Sequence, residues 1–489
     1  MKILQERESV KVGKASIKLA TAEFVSIIFG AFYFLFITRT FTKIEIASLA
    51  VLSIIMSLSG LLNGFGLHAT VVKLIPGYIA GNERKKIAQF LQGSYMLILV
   101  TSLILTLLAL IFARQISQVL FKAEEFHGLI RIMAFSIFSN KFYETTAHNL
   151  TAFQKFAELS LSQIASNVII RIFAIFLYFS NGIEGYLVGL ITGQFLLACW
   201  MFFQIRIFIF RKVHFFSLKE TLRYSFPFYL NSYIGYGANY GDSLIAGLFL
   251  QPEVLAIYYV ARRFIDYLEI FINAVLKPVF PKMLELKSQG MEIIGKVFYK
   301  STRYLSLVLI PVVFLIISLS YFLLNIYGKG KYLSGLPVLI ALGFASIFTG
   351  FYSLLMGTIF VTRNPIETTK IEAAKSLVNI LGGLVLIKNF GIIGLVIGKS
   401  AAVLTGFVIG HLFISRFLKF RYDVPFIKKI TFISVLCASI VGIPQIFHYQ
   451  TFMVVLYAIT GVSMFFLLSK KIFIKEDFNL MKELLVINH

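Results

Sequence analysis

Residues Gly241 to Lys282 read GDSLIAGLFLQPEVLAIYYVARRFIDYLEIFINAVLKPVFPK, and this stretch decides the predicted fold. A tight turn at residues 251–253 separates the end of one apolar helix from a second helix, predicted from about Val254 to Val279. The second helix is long and apolar enough to cross the hydrocarbon layer of a bilayer, which is about 30 Å thick. It nevertheless carries four charged residues near its middle: Arg262, Arg263, Asp266 and Glu269.

These charges need partners or water, because an ionised group at mid-membrane costs about 2.5–3.5 kcal/mol on insertion scales. Helical spacing places Arg262, Asp266 and Glu269 on one face, and Arg263 about a quarter-turn away. Two interpretations remain open: an internal ion pair that locks two helices together, and the wall of a polar pathway. Local pairing with the two carboxylates suits Arg262 better than Arg263. This asymmetry favours the pathway and predicts a transporter.

The composition is that of a membrane protein: of 489 residues, 58% are hydrophobic and only 14% are charged, and the mean hydropathy is +0.84. Repeated apolar runs of about 20 residues predict an all-α polytopic membrane protein. The formal net charge of +23 lies mostly in short links between these runs, so no nucleic-acid partner is expected. Cys199 and Cys437 lie inside apolar runs and form no metal or disulfide motif, and no cofactor is predicted.

About fourteen spans are predicted, joined by short links. Most Lys and Arg residues of the links fall on one side when the N-terminus is placed in the cytoplasm, so both termini are expected to be cytoplasmic. The predicted spans lie near residues 15–38, 44–66, 88–112, 128–152, 159–180, 185–208, 224–249, 254–279, 304–327, 333–361, 371–387, 391–415, 430–447 and 451–469.

A weak internal repeat relates the two halves of the chain. Residues Thr42 to Val51, TKIEIASLAV, align with residues Gln251 to Val260, QPEVLAIYYV. The alignment places spans 1 and 2 against spans 7 and 8, so the halves share one orientation, as in repeats related by an axis along the membrane normal. We predict a six-helix bundle at 1–212, a second six-helix bundle at 213–422, and two additional helices with a cytoplasmic tail at 423–489.

Other charged residues inside predicted spans are candidate substrate-binding groups. Arg171 lies in the middle of its span, and Lys399 suits either a cavity or helix packing. Lys141 and Glu144 have the spacing of a local ion pair, which is the alternative to a cavity role. Basic groups outnumber acidic ones in the spans, which favours an anionic substrate, and Arg matches phosphate oxygens with bidentate geometry. The predicted substrate-binding residues are Arg262, Arg263, Arg171, Lys141 and Lys399.

The energy source is expected to be an ion gradient, the membrane potential or the substrate's own gradient. The sequence GLVIGKS, which begins at Gly394, has three residues between its glycines where a phosphate-binding loop needs four, so it is better interpreted as close helix packing. Glu23 is either a proton or cation site or a partner of Lys18. The predicted ion-coupling residues are Glu23, Asp266 and Glu269.

Two segments carry a resemblance to a known family: FVSIIFGAFYFLFITRTFTKIEIASLAVL, residues 24–52, and DSLIAGLFLQPEVLAIYYVARRF, residues 242–264. They resemble the polysaccharide flippases of the MOP superfamily, which are related to MATE exporters and lipid II flippases. The resemblance implies two six-helix bundles that form a V around a central cavity. It also implies alternating access that moves an undecaprenyl-diphosphate-linked oligosaccharide across the bacterial cytoplasmic membrane, with membrane lipids and possible glycan assembly proteins as further partners.

By that resemblance, Arg262 or Arg263 would meet the lipid diphosphate. Span 2 contains no basic residue, unlike the arginine-bearing helices 1 and 2 of lipid II flippases, which favours O-antigen, capsule or another surface glycan. The protein is expected not to be an enzyme, since a glycan polymerase or ligase would have a large external loop. The alternative is a MATE-like, ion-coupled exporter of small molecules that uses Glu23 or Asp266.

Overall fold

The computed structural model describes residues 28–206, 218–446 and 451–470. Within these ranges the chain is almost entirely helical and contains no β-strand, which confirms the predicted all-α fold. The α-helices are α1 (Ile28–Thr40), α2 (Lys43–Asn63), α3 (Leu67–Ala80), α4 (Arg84–Ile111), α5 (Ala113–Leu120), α6 (His127–Ala152), α7 (Phe156–Ile164), α8 (Ile170–Phe203), α9 (Leu218–Phe249), α10 (Pro252–Leu286), α11 (Met291–Ser318), α12 (Ser320–Gly328), α13 (Leu336–Thr362), α14 (Pro365–Phe413), α15 (Val424–Ile446) and α16 (Thr451–Ser469).

Eight helical segments of the described ranges are long and apolar enough to cross a membrane. Two of these segments each contain a pair of predicted spans. In each pair, a break of the helical backbone separates the two spans, one within α8 and the other within α14. Gly182 in α8 and Gly391 in α14 adopt positive φ angles of 59° and 54°, a conformation that glycine reaches without steric cost. Helices α6, α9 and α10 also coincide with predicted spans, but they are not among the eight apolar segments.

The start of α2 is fixed by a capping box. Thr42 Oγ1 accepts a hydrogen bond from the Glu45 backbone N–H at 3.2 Å, and the Glu45 carboxylate accepts one from the Thr42 N–H at 2.7 Å. Two donors that the first helical turn leaves unpaired are thereby satisfied. The turn between α1 and α2 is therefore specified locally.

The chain divides into two compact units, Met1–Ala256 and Ile257–His489. In the first unit, α6 is the central helix and packs against α2, α3, α4, α5 and α8. An apolar core beside it includes the buried aromatic residues Phe90, Tyr95 and Phe142. The bundle boundaries predicted at residues 212 and 422 remain predictions.

In the second unit, α13 packs against α11 and α14, and α15 packs against α11 and α16. Its main core joins residues of α10, α11, α13 and α14, among them the fully buried Leu268, Leu305 and Leu354. A smaller cluster around Phe426 and Ile430 covers the contact of α11 with α15 and α16.

A buried ion pair fastens α11 to the start of α15. The Arg303 guanidinium lies 3.6 Å from the Asp423 carboxylate, and the two side chains are only 13% and 6% exposed. Asp423 also accepts a hydrogen bond from the Phe426 N–H at 3.2 Å, and the Arg303 guanidinium lies over the Phe426 ring. The Asp423 N–H donates to Thr302. This group, which we call the Arg303–Asp423 clamp, joins two helices and caps one of them.

The two halves of α14 approach closely at glycine residues. A Cβ atom added to Gly398 would lie 2.7 Å from the Gly383 backbone nitrogen and 2.8 Å from the Gly382 carbonyl carbon. Only glycine allows this separation, so the interpretation of the Gly394 to Gly398 sequence as a helix-packing motif is confirmed. The residue that follows Gly398 is Lys399.

Candidate functional site

The charges of α10 pair with one another along the helix. Arg263 Nη1 lies 3.3 Å from Asp266 Oδ2, and Arg262 Nε lies 3.9 Å from Asp266 Oδ1. Arg262 also donates a hydrogen bond to the Tyr258 hydroxyl at 3.3 Å. The expectation that Asp266 would suit Arg262 better than Arg263 is wrong, because residues three apart on a helix are neighbours as well as residues four apart. Asp266 is 41% exposed and Glu269 is exposed.

Helix α14 brings further charges to the same region of the second unit. Lys399 interacts electrostatically with Arg262, Asp266 and Glu269 on α10, and with Lys375 on its own helix. Lys375 in turn interacts with Glu372. We call this set the α10–α14 charge cluster, and its members are Arg262, Arg263, Asp266, Glu269, Glu372, Lys375 and Lys399. It unites three of the predicted substrate-binding residues with two of the predicted ion-coupling residues.

Tyr352 on α13 contacts two members of this cluster on α14, Glu372 and Lys375. Its hydroxyl donates a hydrogen bond to Glu372 at 2.6 Å, and the Lys375 ammonium lies 4.5 Å from the centre of its ring. Lys375 is buried, so this contact and its neighbouring charges stabilise an ammonium group that water hardly reaches. Sequence reasoning missed Tyr352, because a tyrosine in an apolar span carries no signal of its partners on another helix.

In the first unit, Lys141 and Glu144 on α6 form the expected ion pair, with Lys141 Nζ 2.5 Å from Glu144 Oε2. Asn140 donates to the other carboxylate oxygen at 2.9 Å and itself accepts from Gln194 on α8. Lys141 is 3% exposed and Glu144 is 37% exposed. The carboxylate, rather than the ammonium, is therefore the accessible charge.

The Lys141–Glu144 pair borders a cavity of about 500 Å³ within the first unit. Three helices supply its walls, namely α2, α6 and α9. Gly60 on α2 leaves room for the Lys141 ammonium, since a Cβ there would lie 3.2 Å from Lys141 Nζ. The lining residues are Ser53, Met56, Ser57, Gly60, Leu61, Asn140, Lys141, Glu144, Ser232, Tyr236 and Tyr240.

The remaining predicted residues lie elsewhere or outside the described ranges. The Arg171 guanidinium lies 4.8 Å from the centre of the Tyr33 ring, whose hydroxyl is hydrogen-bonded to that of Tyr186, and Arg171 is not among the residues that line the cavity. Glu23 lies outside the residues that the structure describes. Across the described part of the chain, His, Cys, Asp and Glu side chains form no group of three or more that could hold a metal ion.

The eight long apolar helical segments of the described ranges define a multi-pass helical membrane protein. Solved structures share its fold. The fold is similar to that of the lipid II flippase MurJ in its inward closed conformation, with a TM-score of 0.77, 19% identity, and 93% of this chain and 98% of that chain covered. It is also similar to an inward-facing multidrug MATE transporter of the MOP superfamily, with a TM-score of 0.66, 14% identity, and coverage of 83% and 99%.

The sequence comparison identifies the family. Residues 36–334 match the model of the polysaccharide biosynthesis protein family, and the chain belongs to this family. Among curated proteins, it is similar to the probable low-salt glycan biosynthesis flippase Agl15 of Haloferax volcanii, with 23% identity over 440 residues, which are 88% of this chain and 89% of Agl15. The predicted resemblance to MOP-superfamily polysaccharide flippases is confirmed.

Proposed function

We propose that this protein is a flippase that moves a lipid-linked oligosaccharide across its membrane for export of a surface polysaccharide. The α10–α14 charge cluster carries the proposal, since its basic residues outnumber its acidic residues and it lies on two helices that coincide with predicted membrane spans. Ionisable groups at such positions are expensive and mark substrate or ion pathways. The diphosphate of a lipid-linked sugar is an anion that Arg262 and Arg263 suit by geometry. Family membership and the name of Agl15 support the same substrate class.

The ion pairs of α10 are weak enough to be exchanged for a substrate. A pair three or four residues apart on a helix contributes about 0.2–0.5 kcal/mol, whereas a hydrogen bond to a charged group contributes about 1.5–3 kcal/mol. The Asp266 carboxylate is partly exposed, so water already competes for it. A diphosphate that displaces Asp266 from Arg263 therefore gains more than the helix loses. The released Asp266, with Glu269, is then available to bind a coupling cation.

The carrier and membrane belong to the same proposal. The resemblance implies undecaprenyl diphosphate, the bacterial cytoplasmic membrane and cytoplasmic termini, whereas Agl15 is a protein of the archaeon Haloferax volcanii. We therefore base recognition on the phosphate linkage that isoprenoid carriers share, not on one isoprenoid chain. The proposed partners are the lipid-linked oligosaccharide, membrane lipids and glycan assembly proteins, and transport requires no chemical step on the substrate.

The test is translocation of a fluorescent polyprenyl-diphosphate-linked oligosaccharide in vesicles that contain the purified protein. Replacement of both arginines, Arg262→Ala with Arg263→Ala, should lower the initial rate at least about tenfold, which corresponds to about 1.4 kcal/mol. The matched control is Lys296→Ala, which removes an exposed cation that is also paired on its own helix, with Glu292 at 2.9 Å. Undiminished transport by correctly inserted double variant rules out the proposed role of the two arginines.

A second candidate is a MATE-like exporter of small cations. It is favoured by one observation: the Asp266 and Glu144 carboxylates are each more exposed than the cations that pair with them. This function predicts resistance to cationic drugs on expression, and loss of that resistance in Asp266→Asn. No gain of resistance, together with glycolipid translocation in vesicles, would decide for the flippase.

A further inference from the structure

The cavity of the first unit is lined by side chains of the kind that bind sugars. Tyr236 and Tyr240 on α9 present two rings whose centres lie 5.9 Å apart at an angle of 31°. An aromatic ring offers a flat apolar surface for the C–H face of a sugar, and its hydroxyl can form hydrogen bonds at the edge. The volume of about 500 Å³ falls within the range of about 300–1,000 Å³ that is typical of small-ligand pockets.

Hydrogen-bonding groups surround the two rings from all three helices. The hydroxyls of Ser53 and Ser57 come from α2, that of Ser232 comes from α9, and the Asn140 amide comes from α6. Each of the three serine hydroxyls donates to a carbonyl of its own helix, so its oxygen can still accept a hydrogen bond from a saccharide hydroxyl. A few convergent polar groups among apolar ones are typical of a specific ligand site.

The charge of the cavity restricts the kind of sugar. Lys141 is nearly sealed against Gly60, whereas its partner Glu144 is 37% exposed and faces the cavity. An exposed carboxylate accepts hydrogen bonds from sugar hydroxyls or from an amino group. It repels the carboxylate of a uronic acid, and a like charge in a partly desolvated site opposes binding.

We propose that this cavity is a saccharide-binding subsite, which takes a neutral or amino sugar of the transported glycan and discriminates against an acidic one. The inference rests on the proposed function for its physiological ligand, but the binding chemistry belongs to the first unit alone. Tyr236 and Tyr240 stack on the sugar, and Glu144 accepts hydrogen bonds from its hydroxyl groups.

The first experiment measures binding of a free neutral trisaccharide to the purified protein. Tyr236→Leu with Tyr240→Leu should weaken binding about tenfold, since it removes two aromatic surfaces and their hydroxyls. The matched control is Tyr233→Leu, which removes an exposed tyrosine of the same helix that does not line the cavity. If the double variant does not fold, Tyr240→Leu alone removes a side chain that is 52% exposed. Equal binding by wild type and a folded cavity variant overturns the proposal.

The second experiment tests the charge selectivity with Glu144→Gln, which keeps an acceptor for Lys141. Wild type should bind the neutral trisaccharide at least about tenfold more tightly than one that contains a uronic acid, and the variant should reduce this preference below about threefold. An unchanged preference would contradict the assigned role of Glu144.

Vesicle transport separates this inference from the proposed function. Wild type should move a polyprenyl diphosphate that carries the trisaccharide faster than the same lipid without sugar. If trisaccharide binding depends on Tyr236 and Tyr240 but neither lipid is translocated, the flippase proposal is overturned and the proposal of a sugar site stands. If both lipids are translocated at equal rates and no saccharide is bound, the proposal of a sugar site is overturned and the flippase proposal stands.

Discussion

The second unit contains two arginine–aspartate groups that differ in what they hold together. In the Arg303–Asp423 clamp, the partners come from α11 and the start of α15, and both side chains are almost fully buried. On α10, Asp266 pairs with arginines of its own helix, and it is 41% exposed. The clamp therefore fastens one helix to another, whereas the α10 ion pairs lie along a single helix.

Pairing alone therefore does not distinguish a structural charge from one that is proposed to bind substrate. A buried pair that loses one partner leaves an uncompensated charge, which costs about 3–5 kcal/mol. An exposed pair contributes about 0–1 kcal/mol, because water replaces the lost partner. The exposed fraction of the carboxylate, and whether the pair joins two helices, are the features that separate the two roles.

The largest expected effect is that of Asp423→Ala. It removes the carboxylate that neutralises the buried Arg303 and the cap of α15, so the free energy of unfolding should fall by about 3–5 kcal/mol. The measurement is thermal unfolding of detergent-purified protein, together with the yield of monodisperse protein. A decrease of less than about 1 kcal/mol in the free energy of unfolding would show that the clamp is not structural.

An intermediate effect is expected from Gly398→Ala, which tests whether backbone packing keeps Lys399 in the α10–α14 charge cluster. The added Cβ would collide with the Gly382–Gly383 backbone, so stability should fall by about 1–3 kcal/mol and transport should fall with it. Gly442→Ala is the control, because nothing lies within 4 Å of a Cβ there, and it should be neutral or slightly stabilising. Equal effects of the two substitutions would contradict the close packing.

The smallest effect on stability is expected from Asp266→Ala, which is matched to Asp423→Ala by chemistry. The free energy of unfolding should change by less than about 1 kcal/mol, since the lost pairs are partly exposed and lie along one helix. Transport should nevertheless change, because the two arginines lose their internal competitor for the substrate anion. Unfolding curves and vesicle transport rates on one preparation give both values. Destabilisation as large as that of Asp423→Ala would remove the distinction between the two groups.

The sequence was sufficient for what depends on neighbours along one helix. The apolar helices, and the links between spans near Gly182 and Gly391, follow from hydropathy, and the Lys141–Glu144 pair follows from a spacing of three residues. Contacts between helices could not be predicted in this way. The hydrogen bond from Tyr352 to Glu372 joins two helices, and a single sequence carries no periodic signal for such a contact.

The ion pairs of α10 show that prediction from sequence is limited even within a single helix. Positions three and four apart are both neighbours, so spacing could not decide how Asp266 is shared between Arg262 and Arg263. The side-chain rotamers decide it, and they depend on the surrounding helices. The same reason explains why Tyr236 and Tyr240 were not recognised as cavity residues.

The central claim is that the arginines of α10 recognise the anionic linkage of the substrate. Its most direct test is the equilibrium affinity of purified protein for a polyprenyl-diphosphate-linked oligosaccharide, measured for wild type, for Arg262→Ala with Arg263→Ala, and for the Lys296→Ala control. We predict that the double variant binds at least about tenfold more weakly while the control binds like wild type. An affinity of the folded double variant equal to that of wild type would contradict the account.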